Sequence, residues 1–200
     1  MNRRLLRSIV AVLVAAALGG CASQPPYTLT GSFADPDTST ANAPRVRVSK
    51  DAAHCPLQID RIADLRTDPG ILGNVAGRTV RAPESVDAWL HNVLGAGLAS
   101  RGVTPHFDRR PQGVADPLTA DVALRTAWVS DIHTSKSATA VLNLRLKRGE
   151  ALLGERDYRG ADTVLNWSSG DGELQRMVDR AFGRALDQIA RDVRAACSGN

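Results

Sequence analysis

"TADVALRTAWVSDIH" (119–133) and "SATAVLNLRLKR" (137–148) are separated by three residues, and both alternate apolar and polar side chains. In the first, Val122, Leu124, Thr126, Trp128 and Ile132 alternate with Asp121, Arg125 and Asp131. In the second, Ala140, Leu142, Leu144 and Leu146 alternate with Asn143, Arg145 and Lys147. A period of two puts successive side chains on opposite faces of a strand. Gly149-Glu150 then supplies a two-residue turn, and "ALLGERDYRGA" (151–161) returns as a partner. Three consecutive strands are therefore expected as an antiparallel meander.

The flanking segments have a different period. In "PESVDAWLHNVLGAGLAS" (83–100), Val86, Trp89, Leu90, Val93, Leu94 and Leu98 recur at three- and four-residue steps, so a helix is expected over about 83 to 100. Pro83 suits its first turn. Gly95 and Gly97 weaken it, and close packing against a sheet would account for them. A second amphipathic helix follows "SSGDG", where Ser168, Ser169 or Asp171 can cap it. Leu174, Val178, Phe182, Ala185, Ile189 and Val193 share one face, with arginines and aspartates on the other.

Upstream, "CPLQIDRIADLR" (55–66) carries an apolar pattern that changes phase once, which predicts a strand with a bulge or an end near Arg61. "GVTPHFD" (102–108) can add a short strand. This element order predicts an α+β fold: a single domain with a mostly antiparallel sheet and two long helices packed on one face.

Two surfaces are candidates for binding. The stretch "TDPGILGNVAGRTVRAP" (67–83) reads as a Gly-rich loop, with a short strand possible at Arg78 to Arg81, and is longer than the usual connection. Asp64, Arg66, Leu72 and Gly73 are its candidate partner-binding residues. The other surface is the sheet face left open by the helices, where Val129, Val141 and Leu153 stand among polar neighbours.

Several chemistries find no motif. There is no C-x-x-C or H-E-x-x-H, and His54, His91, His106 and His133 are scattered, so no metal or other cofactor is expected. "GILGNVAG" lacks the Gly-Lys-Ser/Thr ending of a phosphate loop. A hydrolase would be the enzyme to consider in a cell envelope, but no G-x-S-x-G elbow is present and helix capping accounts for the "SSGDG" serines. No catalytic residues are assigned, and the expected role is not enzymatic.

The amino terminus gives an address. "MNRRLLRSIVAVLVAAALGG" has a basic start (Arg3, Arg4, Arg7), an apolar run from Ile9 to Leu18, and then small residues. That is an export signal, about half the length needed to cross a bilayer. Leu18-Gly19-Gly20-Cys21 resembles the bacterial lipobox, in which the cysteine receives a diacylglyceryl group and becomes the acylated first residue. Residues 1–20 are then a cleaved signal peptide. A membrane partnership through lipid on Cys21 is implied, and Ala22, standing where an aspartate would retain a lipoprotein in the inner membrane, points to the outer membrane. Residues 21–45, rich in Pro, Ser, Thr, Asp and Ala, read as the lipidated end and a flexible tether with an r.m.s. reach of about 25–30 Å. "YTLTGSF" (27–33) could alternatively dock as an edge strand. Residues 46–200 form the globular domain.

Loss of Arg3, Arg4 and Arg7 with the signal, and of no acid, takes the formal charge from +4 to +1. The high pI of the whole chain, about 9.3, therefore gives no reason to expect nucleic acid as a partner. Cys55 and Cys197 remain in an oxidising compartment, where pairing is favoured over two separate thiols.

"IADLRTDPGILG", the helix ending "LASRGV", "ADVALRTAWVSDI", "ATAVLNLRLKRGEALLGERDYRG" and the last helix, taken in order over residues 55–196, resemble the YajG-like lipoprotein family. More loosely, they resemble auxiliary lipoproteins of envelope ABC transport systems. The resemblance implies a lipid-anchored periplasmic domain of mixed α/β type and transfers no catalytic residues. An adaptor for an envelope protein is expected, with a lipid- or peptidoglycan-binding accessory of an ABC-type system as the alternative. No oligomeric state is implied.

Overall fold

A computed structural model describes residues 25–35, 55–107, 111, 116–132, 134–165 and 171–199. The signal peptide, Cys21, His54, His133, Ser168 and Ser169 lie outside the described residues. The elements are β1 (Tyr27–Thr28), β2 (Cys55–Asp64), β3 (Ile71–Val75), β4 (Arg78–Arg81), α1 (Val86–Ala99), β5 (Val103–His106), β6 (Leu118–Ile132), β7 (Ser135–Arg148), β8 (Ala151–Leu165) and α2 (Asp171–Cys197).

The meander is β6–β7–β8, antiparallel from Leu118↔Arg148 to Ile132↔Ser135 and from Ser135↔Leu165 to Arg148↔Ala151. The rest of the sheet is more parallel than expected. β2 runs parallel to the first half of β6, and β3 runs parallel to its second half at Gly73↔Val129 and Asn74↔Ser130. β5 is parallel to β2, reached through α1, and among the described strands only the β3–β4 hairpin adds another antiparallel pair. The sheet is thus mixed within the α+β class. The phase change in "CPLQIDRIADLR" is a register shift between Ile59 and Arg61.

Helices α1 and α2 cover one face. Trp89 of α1 meets Phe182 of α2 edge-on, ring centroids 5.1 Å apart, and both are buried with Leu94, Leu124, Leu142 and Ile189. α1 starts later than Pro83, because the Ser85 hydroxyl accepts the Ala88 N–H at 3.2 Å and caps Val86. Gly97 answers to the other helix and not to the sheet: a Cβ there would stand 2.3 Å from Leu186 Cδ1. Cys55 and Cys197 form a disulfide, joining the start of β2 to the end of α2 across 142 residues.

Part of the expected tether is not free. Tyr27 and Leu29 are buried, and β1 pairs in parallel with β4. Arg78 lies 3.5 Å over the Tyr27 ring and its Nε donates to Pro25 O at 2.7 Å. The segment then crosses both helices. Thr30 N donates to Gln175 Oε1 at 2.9 Å, and Ala34 N to Asp179 Oδ2 at 3.4 Å. Asp35 accepts from Arg101, which also pairs with Asp187; both contacts are 2.6 Å. Arg101 thereby ties the segment, the end of α1 and the middle of α2 together. Burial opposes its charge, but the two carboxylates outweigh burial and hold it ionised.

Asp179, 2% exposed, sits under this segment. Burial pushes its carboxyl up to about 6, against Gln175, the Ala34 N–H and Arg180, which favour the charge, and with Asp35, which opposes it. The folded state therefore holds this proton more tightly than the unfolded chain. Asp179 favours folding below the unfolded value near 3.8, and this contribution is lost as pH rises towards 6. Urea unfolding at pH 4.5 and pH 7 should show Asp179→Asn gaining stability relative to the parent as pH rises, by on the order of 2 kcal/mol. An unchanged difference between the two pH values would refute it.

Candidate partner-binding surface

The Gly-rich stretch is a hairpin, not a loop. Ala76 and Gly77, with φ of 51° and 74°, make its turn, as a two-residue hairpin requires. Leu72 is fully buried, and a Cβ on Gly73 would stand 1.9 Å from Val129 O, so both residues are spent on packing β3 against β6. Asp64 and Arg66 are brought together: Arg66 Nε and a terminal nitrogen donate to the two carboxylate oxygens at 2.9 and 2.7 Å, and that nitrogen also reaches Pro69 O at 2.7 Å. Burial raises the Asp64 carboxyl, but the Arg66 side chain and backbone N–H outweigh it and hold it below the usual range. The pair closes the end of β2 and offers little to a partner.

The supposed open face also divides. Val129 is fully buried beneath the helices, because a register shift between Leu124 and Thr126 inverts the second half of β6. Ala127 and Val129 turn inward, and Trp128 turns out, half exposed. Val141 is half-buried on the outer face. Leu153 is exposed but lines a cavity on the helix side, next to the register shift between Leu146 and Lys147.

That cavity, about 530 Å³, lies between β7, β8 and the last turns of α2. Leu144, Leu146, Leu153 and Ala196 supply apolar walls; Arg156 and Tyr158 bring polar atoms. Tyr158 Oη donates to Asp192 Oδ2 at 2.7 Å, and Arg156 reaches the same oxygen at 2.9 Å. Burial and then Asp192 raise the Tyr158 pKa, so the phenol stays protonated and donating at neutral pH. Arg148 donates to Ala196 O, bracing the end of α2 over the cleft. The arrangement can bind an apolar group beside an anionic or hydrogen-bonding one.

Beside the cleft, β8 pairs only with β7 among the described strands, and residues 151–157 are exposed throughout. This leaves a row of backbone donors and acceptors at a sheet edge. Glu155, Arg156 and Asp157 lie along it, whereas the carbonyls of Arg159 and Ala161 already accept from Gln188 and Arg184 of α2. Such charges discourage indiscriminate strand pairing and leave it to a chain of complementary sign. The sequence reading missed this surface, although the alternating charges in "GERDYRG" were its signal.

Among the described residues, no cluster of three His, Cys, Asp or Glu side chains could hold a metal ion. No helix among them is long and apolar enough to cross a membrane.

The fold has relatives among solved structures. Protein XCC0632 from Xanthomonas campestris, of the DUF330 family, matches with a TM-score of 0.53 at 14% identity, over 88% of this chain and 99% of that one. An uncharacterised protein matches with a TM-score of 0.50 at 17% identity, over 70% and 92%. A minor lipoprotein from Acinetobacter baumannii matches at 0.42 and 12% identity, over 72% and 94%. The first two share the fold at identities that speak for the fold alone. The structural neighbours thus include a DUF330 protein and bacterial lipoproteins. No family model and no curated protein matches this sequence.

Proposed function

We propose that this chain is a YajG-like lipoprotein, held in the bacterial outer membrane through lipid on Cys21, whose periplasmic domain serves without catalysis as an adaptor for an envelope protein. The observation that carries this reading is the charge-bearing edge of β8 over residues 151–157, which no other described strand pairs, next to the cleft, a geometry suited to strand addition or to an extended peptide. The charge left after signal removal and the export signal support a partner in the envelope over nucleic acid. The mixed lining of the cleft favours one second reading, an accessory that holds the acyl chain and phosphate of a lipid for an ABC-type system.

Photo-crosslinking residues placed in cells at Glu155 on the edge and Leu153 in the cleft separate the two. A reproducible protein adduct from Glu155 is the expected result. Lipid adducts from Leu153 without protein adducts would replace the adaptor by the transport accessory. An anchored protein that yields no adduct from either position would overturn both readings.

A further inference from the structure

The docked segment changes how far the domain can stand from its anchor. With Pro25 fixed to Arg78, only Ala22, Ser23 and Gln24 lie between it and Cys21. Covalent geometry limits that span to roughly 14 Å, against the 25–30 Å of an undocked tether. The polar interface of one leaflet is itself about 5–8 Å deep. An anchored Cys21 therefore brings the Pro25 end of the sheet to the headgroups.

Pairing registers identify that end. β1 opposite β4, and the β3–β4 turn with the Ala76 N–H on Asp131, place Pro25 beside the end of β6, the start of β7 and the end of β8. Three large exposed apolar side chains stand there on one face: Ile132 and Leu165 in the row through Ser135, and Trp128 two rows in, opposite Thr139. They are 51%, 60% and 50% exposed. At about 4.8 Å per strand they lie within roughly 15–25 Å of Pro25. Interfacial indole and aliphatic groups of this kind partition into the boundary between headgroups and acyl chains.

We propose that the end of the sheet bearing Trp128, Ile132 and Leu165 rests in the lipid surface that holds Cys21. This rests on the lipid-anchor part of the proposed function and not on the adaptor role. It sets the domain upright, with the cleft and the β7–β8 turn projecting roughly 45 Å into the periplasm, the length of β7.

The test uses the full acylated protein in vesicles of phosphatidylethanolamine and phosphatidylglycerol whose acyl chains carry bromine near the headgroup. An environment-sensitive fluorophore is placed on a cysteine introduced at Ile132 or Leu165, and at Glu150 in the β7–β8 turn as the distal reference. Quenching at 132 and 165 at least threefold that at 150 is expected, falling when Trp128→Gln accompanies the label. Equal quenching at all positions, with the protein floating with the vesicles, would overturn the membrane contact and leave the anchor standing. Mass spectrometry showing no acyl group on Cys21 would overturn both.

Discussion

Gly160→Ala is expected to destabilise the domain by more than the ~1–3 kcal/mol usual for an overpacked core. Gly160 lies in β8 where α2 crosses the sheet. A Cβ there would stand 1.8 Å from Ala181 O and 2.8 Å from Ala185 N. Both obstacles are helix backbone, so no side-chain rotation relieves the clash. Relief requires α2 to lift from the sheet, exposing Phe182, Leu186 and Ile189, all fully buried. Gly154 in the same strand supplies the control, since its Cβ would meet nothing within 4 Å. Gly154→Ala should be neutral or slightly stabilising, as it removes unfolded-chain freedom. Urea unfolding followed by circular dichroism checks both, and equal midpoints for the two variants would mean that α2 is not seated on Gly160.

The two glycines also show where the sequence is legible and where it is not. The meander and both helices follow from residue period, because each has one face against the core and its pattern records that face. The break in period at Asp60 was readable because it lies in a short apolar strand, where Leu57 and Ile59 precede it and Ile62 follows. The break in β6 was not. Thr126 and Trp128 continue the alternation of Val122 and Leu124, whereas Ala127 and Val129 are also apolar, so either phase buries an acceptable set. What decides between them is Gly73, against which Val129 O packs, and that contact joins residues 56 positions apart. The same holds at the candidate binding residues: the packing of Leu72, Gly73 and Val129 into the interior is set by the β3–β6 pairing, which has no local signature. The charges of "GERDYRG" are compatible with an edge strand, but that β8 lacks a second neighbour among the described strands is a property of the whole sheet.

Replacing both Cys55 and Cys197 with serine should cost about 5 kcal/mol, among the largest single contributions to the fold. The bridge closes a loop of 142 residues, and in the chain-entropy model its removal returns that freedom to the unfolded ensemble. Stability of folded domains is typically ~5–15 kcal/mol, so the variant is expected to be marginal at physiological temperature. Guanidinium unfolding of the double variant against the parent gives the magnitude, and a difference below about 1 kcal/mol would show that the ends are held together by packing alone. The loss should also be local in its first effects. Cys197 follows Ala195 and Ala196, which wall the cleft, and Arg148 grips Ala196 O just before the bridge. Fraying of the last turns of α2 therefore opens the cleft before it reaches Arg101 and Asp187, which pin the middle of the helix to α1 and the docked segment. Amide exchange should accelerate first at 193–197, and the strand ends bearing Trp128 and Ile132 should keep their protection. The bridge lies at the end of the sheet away from Pro25, so its loss is expected to act first on the cleft and last on the strand ends bearing Trp128 and Ile132.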